Sequence, residues 1–315
     1  MKKVVTIGEI VVEIMATTIG DGFLEPISLM GPFPSGAPAI FIDQVARMGQ
    51  PCGIVSFVGD DDFGRTNLNR LRQDGVDCSA IGVDPDRPTG SAFVRYRDDG
   101  SRDFVFNIRH SACASIAITA EAKALLAEAD HLHVMGSSLG SGGTVTAIRE
   151  SISTIKQRGG TVSFDPNIRK EMLGLSGMRE ALEYVFSETD LFLPSGDELY
   201  LFCNAATEKD ALLQILSCGV TAVVIKRGAA GSSFFDAEGY VSMSGFEAEE
   251  VDPTGAGDCF GGALVTCWLR GMAPRDALAI ANAAGALAVG KRGPMEGAAT
   301  WDEIEQFLLT RQGSQ

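Results

Sequence analysis

The run Asp252-Pro253-Thr254-Gly255-Ala256-Gly257-Asp258 constrains this chain more than any other seven residues, because it joins a glycine turn to a helix start and a carboxylate. Gly255 and Gly257 can take backbone angles that a β-carbon forbids, so successive N–H groups can converge on one anion. The small apolar stretch that follows, Cys259-Phe260-Gly261-Gly262-Ala263-Leu264-Val265, suits a buried helix whose positive end faces that anion. Asp258 then falls in the first helical turn. A carboxylate beside a phosphate is electrostatically unfavourable unless it takes a proton from an attacking hydroxyl, which makes Asp258 a candidate general base. Taken alone, the same run also fits a plain helix cap with a glycine-rich entry.

Around this run, short apolar segments rich in β-formers alternate with longer segments of helical period. That is the pattern of a mostly parallel sheet with helices on both faces. Strands are predicted at 4–7, 53–58, 132–135, 162–164, 191–193 and 222–225, and helices at 38–48, 64–74, 119–127, 144–158, 178–187 and 209–217. Beyond residue 257 the pattern is almost wholly helical, through Ala288 and again from Trp301, so the glycine run sits at a sheet-to-helix junction. Residues 15–33 and 89–108 break the alternation. The second stretch alternates well and carries Arg97-Asp98-Asp99-Gly100-Ser101, a hairpin signal. A small sheet separate from the core is predicted, built from about 13–35 and 88–112 and inserted in one domain over 1–315.

With 315 residues, 45% hydrophobic and 21% charged, the chain can bury a sizeable core. A formal net charge of −15 opposes nucleic acid and anionic membranes as partners, so any polyanionic ligand needs a locally positive site. The seven cysteines include no CxxC pair and no Cys/His cluster of zinc-like spacing, and are expected to be reduced and mostly buried. No apolar run reaches spanning length and no signal-type region opens the chain, so a cytoplasmic location is expected. Two motif-like runs are decoys. The stretch from Gly285 to Arg292 nearly spells a P-loop, but Arg292 replaces the magnesium-binding Ser/Thr and the run looks helical. A dinucleotide fingerprint at Gly255 lacks the following strand with its acidic residue.

The heptad 252–258 resembles the second signature of the ribokinase-like (PfkB) carbohydrate kinases, six of its seven residues matching and Pro253 filling the variable position. The resemblance covers nearly the whole chain. Ile7-Gly8-Glu9-Ile10-Val11-Val12-Glu13 is similar to the family's opening strand, and Ser35-Gly36-Ala37-Pro38-Ala39 to its first signature. Asp165-Pro166-Asn167-Ile168-Arg169, Glu198 after Leu191-Phe192-Leu193-Pro194, and Lys226-Arg227-Gly228-Ala229-Ala230-Gly231 follow in the family's order. The resemblance implies a three-layer α/β/α sandwich with a mostly parallel central sheet. It also implies that the small β-sheet is a lid over a sugar, and that the lid can mediate homodimer contact. ATP and magnesium follow as cofactors, with a monovalent cation as an option.

Carried over residue by residue, the resemblance makes Asp258 the base for a sugar hydroxyl attacking the γ-phosphoryl group of ATP, with the amides of Gly255, Ala256 and Gly257 as an anion hole. Lys226, Gly228 and Gly231 follow an apolar strand, at the end where open α/β sheets bind ligands, and resemble the nucleotide loop. Asn282 matches a position beside the adenine. Glu198 aligns with the acid of an Asn-x-x-Glu element that supports magnesium through water, with Ser195 standing where the Asn is expected. Asn167 and Arg169 follow a strand end, and Arg169 is suited to clamp a phosphate or carboxylate.

The acceptor side departs from the family pattern: Ser35-Gly36 replaces Gly-Gly, Ile40 stands where an Asn is usual, and Glu13 where an Asp often binds sugar hydroxyls. Phe106-Asn107-Ile108-Arg109-His110-Ser111-Ala112 resembles a stretch of 2-keto-3-deoxygluconate kinases, which makes Arg109 a candidate substrate ligand. His131 and His133 flank a core strand and read as structural. The combination looks most like the branch with bacterial tagatose kinases and implies a kinase of ketohexoses, tagatose- or fructose-like. A 2-keto-3-deoxygluconate kinase is the alternative, and a non-catalytic sugar or nucleotide sensor is the alternative of another class.

Overall fold

The computed structural model describes residues 1–168 and 174–312. In chain order the strands are β1 (Val4–Ile7), β2 (Val11–Ala16), β3 (Leu29–Ser35), β4 (Cys52–Gly59), β5 (Ile81–Asp84), β6 (Gly90–Tyr96), β7 (Arg102–Asn107), β8 (His131–Met135), β9 (Thr161–Asp165), β10 (Leu191–Phe192), β11 (Ala222–Lys226), β12 (Ser232–Asp236) and β13 (Gly239–Met243). The helices are α1 (Ala37–Arg47), α2 (Asp62–Gln73), α3 (Ala120–Glu128), α4 (Gly142–Gln157), α5 (Met178–Ser187), α6 (Glu208–Ser217), α7 (Ala256–Leu269), α8 (Pro274–Val289) and α9 (Trp301–Gln312).

Alternating apolar side chains on the strands feed two separate cores, which is why the sheet carries helices on both faces. Val4, Ile54 and Val224 join the core beneath α1, α2, α7, α8 and α9, whereas Val5, Val55, Val223 and Ile225 join the one beneath α3 to α6. The central sheet has nine strands in the order β13-β12-β11-β10-β9-β8-β1-β4-β5, parallel from β11 to β5. Strands β12 and β13 close one edge as an antiparallel hairpin.

Each of the six predicted core strands is present to within a residue at either end. Strands β5, β12 and β13 are not among the predicted ones: the edge strands β13 and β5 are exposed or half-buried along their length, so neither shows a continuous apolar run. The second, four-stranded sheet runs β3-β2-β6-β7, with β2 and β6 parallel and the other pairs antiparallel. Its β6–β7 hairpin turns at the expected Asp-Gly, where Gly100 has φ +79°.

His131 and His133 are wholly buried, as expected of structural residues. The Ser163 hydroxyl lies 2.7 Å from His131 Nε2 and 2.7 Å from His133 Nδ1, and the His133 ring stacks on Phe41 at 3.6 Å. Burial pushes the His131 imidazole down to about 3 and His133 well below its usual range, so both rings are neutral.

Candidate active site

The carboxyl ends of β1, β9 and β11 converge on the N-terminus of α7. Two cavities meet there, one of about 920 Å³ and one of about 320 Å³. Ser195, Lys226, Pro253 and Gly257 line both, so the start of α7 stands at their junction. Gly255 caps α7 in the left-handed region at φ +83°, and a β-carbon there would lie 2.3 Å from the Pro294 carbonyl oxygen. Both the backbone angle and the close approach therefore demand glycine.

Gly257 corrects the sequence expectation. It lies inside α7 without a positive φ, and a β-carbon would meet nothing nearer than Lys226 Nζ at 4.0 Å. Its requirement is open space at the cavity junction rather than an unusual backbone angle. Asp258, in the first turn of α7, is buried and faces the smaller cavity, where its Oδ1 accepts from Asn167 Nδ2 at 3.3 Å. Asn167 itself takes a left-handed φ of +39°, held by its N–H donating to Asp165 Oδ1 at 3.2 Å.

Lys226 ends β11 and pairs with the wholly buried Asp165 at the end of β9. Burial alone would lower the Lys226 pKa, but the charges of Asp165, Glu198 and Asp258 outweigh it and hold the ammonium above its ordinary value. A permanent positive charge thus stands between the cavities, in a chain that is otherwise strongly acidic. Glu198 accepts from the N–H groups of Ile168 at 2.9 Å and Ser195 at 2.7 Å, which closes the capping box of the short helix beginning at Gly196. Burial, then the charge of Asp165, pushes its carboxyl up, and Lys226 partly opposes them.

Most predicted site residues come together here. Glu13, Gly36, Asn167, Glu198, Gly255 and Asp258 face the smaller cavity, and Gly228, Gly231, Ala256 and Asn282 the larger. Asn282 is buried rather than solvent-facing: its Oδ1 accepts from Ser232 Oγ at 2.9 Å and its Nδ2 donates to the Ser244 carbonyl at 3.3 Å, tying β12 to the loop after β13. Arg109 is the exception. It is exposed and lines a third cavity of about 660 Å³, because the chain turns outward after β7, leaving Phe106 and Ile108 as the shared wall. Arg169 lies outside the described residues.

Sequence reasoning did not single out Glu9, which faces the smaller cavity and accepts from Ser137 Oγ at 2.8 Å and Ser138 Oγ at 2.6 Å. It also missed Arg102, which reaches the same cavity from β7. Arg102 sits in no local pattern that separates it from an ordinary surface charge, whereas the apolar opening run around Glu9 is a signal that could have found it.

Among the described residues no group of three His, Cys, Asp or Glu side chains could hold a metal ion. The site nevertheless fits hydrated magnesium carried in on phosphates, since such an ion keeps most of its waters and needs only one or two carboxylates nearby, and Glu198 lines the smaller cavity. No helix among those residues is long and apolar enough to cross a membrane.

A large cavity and a small, acid-lined one joined at a helix N-terminus, with a buried carboxylate on the small side, define a phosphotransferase acting on a hydroxyl. The chain belongs to the pfkB family of carbohydrate kinases, whose model matches residues 1–301. It is 31% identical over 313 residues to the 2-dehydro-3-deoxygluconokinase of Thermoproteus tenax, covering 98% of this chain and 94% of that one. To the fructokinase of Vibrio alginolyticus it is 30% identical, over 87% and 91%. Among solved structures, an E. coli protein provisionally described as a ribokinase II, in complex with ATP and Mg2+, matches with 49% identity and a TM-score of 0.94 over 98% of this chain and all of that one. The fructokinase of Vibrio cholerae with fructose, ADP and potassium matches with 27% identity and a TM-score of 0.82, covering 98% of each chain.

Proposed function

We propose that this sugar kinase transfers the γ-phosphoryl group of ATP to a hydroxyl of a neutral ketohexose, tagatose- or fructose-like. The observation that carries the reading is the charge of the acceptor cavity. Glu9, Glu13, Asp165, Glu198 and Asp258 line it and outnumber its two cations, Lys226 and Arg102, while Arg109, the candidate for a carboxylate ligand, faces a different cavity. Such a surface accepts hydrogen bonds from hydroxyls and repels a sugar acid.

Nucleotide binds in the larger cavity against Gly228, Gly231 and Asn282, with its phosphates at the junction near Lys226. Asp258 accepts the proton of the attacking hydroxyl, and Asn167 orients its carboxylate. The amides of Gly255, Ala256 and Gly257, with Lys226, stabilise the charge on the transferring group. Magnesium, supported by Glu198 through water, neutralises phosphate charge when bound. A monovalent cation remains an option that the acceptor assay can include as a variable.

A 2-keto-3-deoxygluconate acceptor is the second reading, supported by the Thermoproteus tenax relative and by the Arg102 guanidinium at the acceptor cavity. Release of ADP with tagatose, fructose, ribose, adenosine and 2-keto-3-deoxygluconate, at saturating MgATP, decides between them. A kcat/KM at least tenfold higher for the sugar acid than for any ketohexose would reject the ketohexose reading.

A further inference from the structure

Tyr96 ends β6 and projects from the small sheet onto the loop that precedes α7. Its hydroxyl donates to Asp252 Oδ1 at 2.6 Å and lies 3.2 Å from Thr254 Oγ1. Directly across the β6–β7 hairpin its partner in register is Arg102, which donates to the same Thr254 Oγ1 at 3.3 Å. Two neighbouring side chains of the small sheet thus grip one hydroxyl of the glycine loop.

Asp252 is itself buried and committed on every side. Its Oδ1 also accepts from Thr254 N at 3.0 Å, and its Oδ2 accepts from Gly293 N at 2.9 Å. The next turn, at Pro294, is the one against which Gly255 packs. Asp252 therefore joins three segments: the small sheet, the loop before α7, and the 293–294 turn. Burial, reinforced by the hydrogen bond to Asp252, raises the Tyr96 phenol, so it stays a donor across the working pH range.

We propose that Tyr96 is a positioning residue for phosphoryl transfer, making the geometry of the Gly255–Gly257 amides depend on the small sheet being seated over the acceptor cavity. This rests on the anion-hole reading above. Without the phenol, the loop keeps its own turn through Asp252 and Gly293 but is tied to the sheet that covers the sugar by the Arg102 contact alone. Nucleotide binding, which rests on the larger cavity that Tyr96, Asp252 and Thr254 do not line, is expected to be unaffected.

The test is Tyr96→Phe, which retains the ring and removes one oxygen. Turnover is measured as ADP release with tagatose, fructose and 2-keto-3-deoxygluconate each supplied as acceptor, alongside ADP affinity by calorimetry and thermal unfolding. The expected result is a kcat lowered about tenfold with the best acceptor, ADP affinity within twofold of wild type, and a melting temperature lowered by only a few degrees, the cost of one hydrogen bond to a buried carboxylate. Thr254→Val removes the second phenol contact and the Arg102 contact but leaves the Tyr96–Asp252 bond, so it is expected to lower kcat with ADP affinity unchanged, and wild-type kcat in both variants would overturn the proposal. Wild-type kcat in Tyr96→Phe would overturn the proposal, as would a loss of ADP affinity and melting temperature parallel to the loss of kcat. Asp258→Asn serves as the control. If it retains wild-type turnover, the phosphoryl-transfer reading of this site has failed; if it is inactive while Tyr96→Phe is fully active, only the coupling has failed.

Discussion

At the scale of single residues, Asp258 and the two glycines before it carry different burdens. Asp258→Asn keeps the shape of the helix start and its contact to Asn167 but cannot take a proton. It is expected to lower kcat by about 10² to 10⁴ with ADP affinity unchanged, as calorimetry and steady-state kinetics would show. Gly255→Ala forces a β-carbon into the left-handed region and against the Pro294 carbonyl. A loss of about 1–3 kcal/mol in denaturant unfolding is expected from the strain. Gly257→Val behaves oppositely, because the position is exposed and open: it leaves stability within about 0.5 kcal/mol and depresses turnover by crowding the cavity junction. Equal damage to stability and turnover at Gly257 would mean that the open space has no catalytic use. The motif alone made the two glycines look equivalent, since nothing local says which one lies beneath the Pro294 carbonyl.

At the scale of elements, β8 holds a pH dependence in its two histidines. Both have pKa values lowered by burial in the fold, so their contribution to stability is fully present above the unfolded-state value near 6.5 and is lost as pH falls. Below about 6.5 each costs up to about 1.4 kcal/mol per pH unit, because the unfolded chain binds a proton that the folded one refuses. Asp43 and Glu198, whose carboxyls are raised chiefly by burial, bind protons more readily when folded and oppose this loss. The comparison of slopes isolates the histidine term. His131→Gln, which keeps hydrogen-bonding groups beside Thr161 and Ser163, should reduce the slope of unfolding free energy between pH 7 and 5 by about one proton. Identical slopes in guanidinium unfolding of the two proteins would refute it.

At the scale of the whole molecule, the small sheet leaves Leu29, Met30, Val105 and Phe106 each at least 40% exposed. These side chains lie on the two edge strands, β3 and β7, and a second copy of the chain, which the family resemblance implies, is the proposed occupant of an edge. Val105→Glu is expected to convert a dimer to a monomer in sedimentation velocity without loss of melting temperature. A wild-type protein that sediments as a monomer at tens of micromolar would remove the proposal.

The order of strands and helices, the three-layer architecture and the α7 motif were legible in the sequence, because each follows from hydrophobic period or from glycine, proline and carboxylate chemistry within a few residues. The fold also decided matters that no local pattern encodes. Lys226 and Asp165 are 61 residues apart and become partners because β9 and β11 end side by side around the short β10. Arg102 is an ordinary charge in sequence and, like Glu9 in its apolar run, acquires a cavity only when β7 and the end of β1 are brought to the start of α7. Arg109, in a convincing local motif, is carried outward by the turn that follows β7. Secondary structure and phosphate chemistry are short-range properties of the chain, whereas which charges face the sugar depends on the docking of two sheets, set by packing between residues distant in sequence.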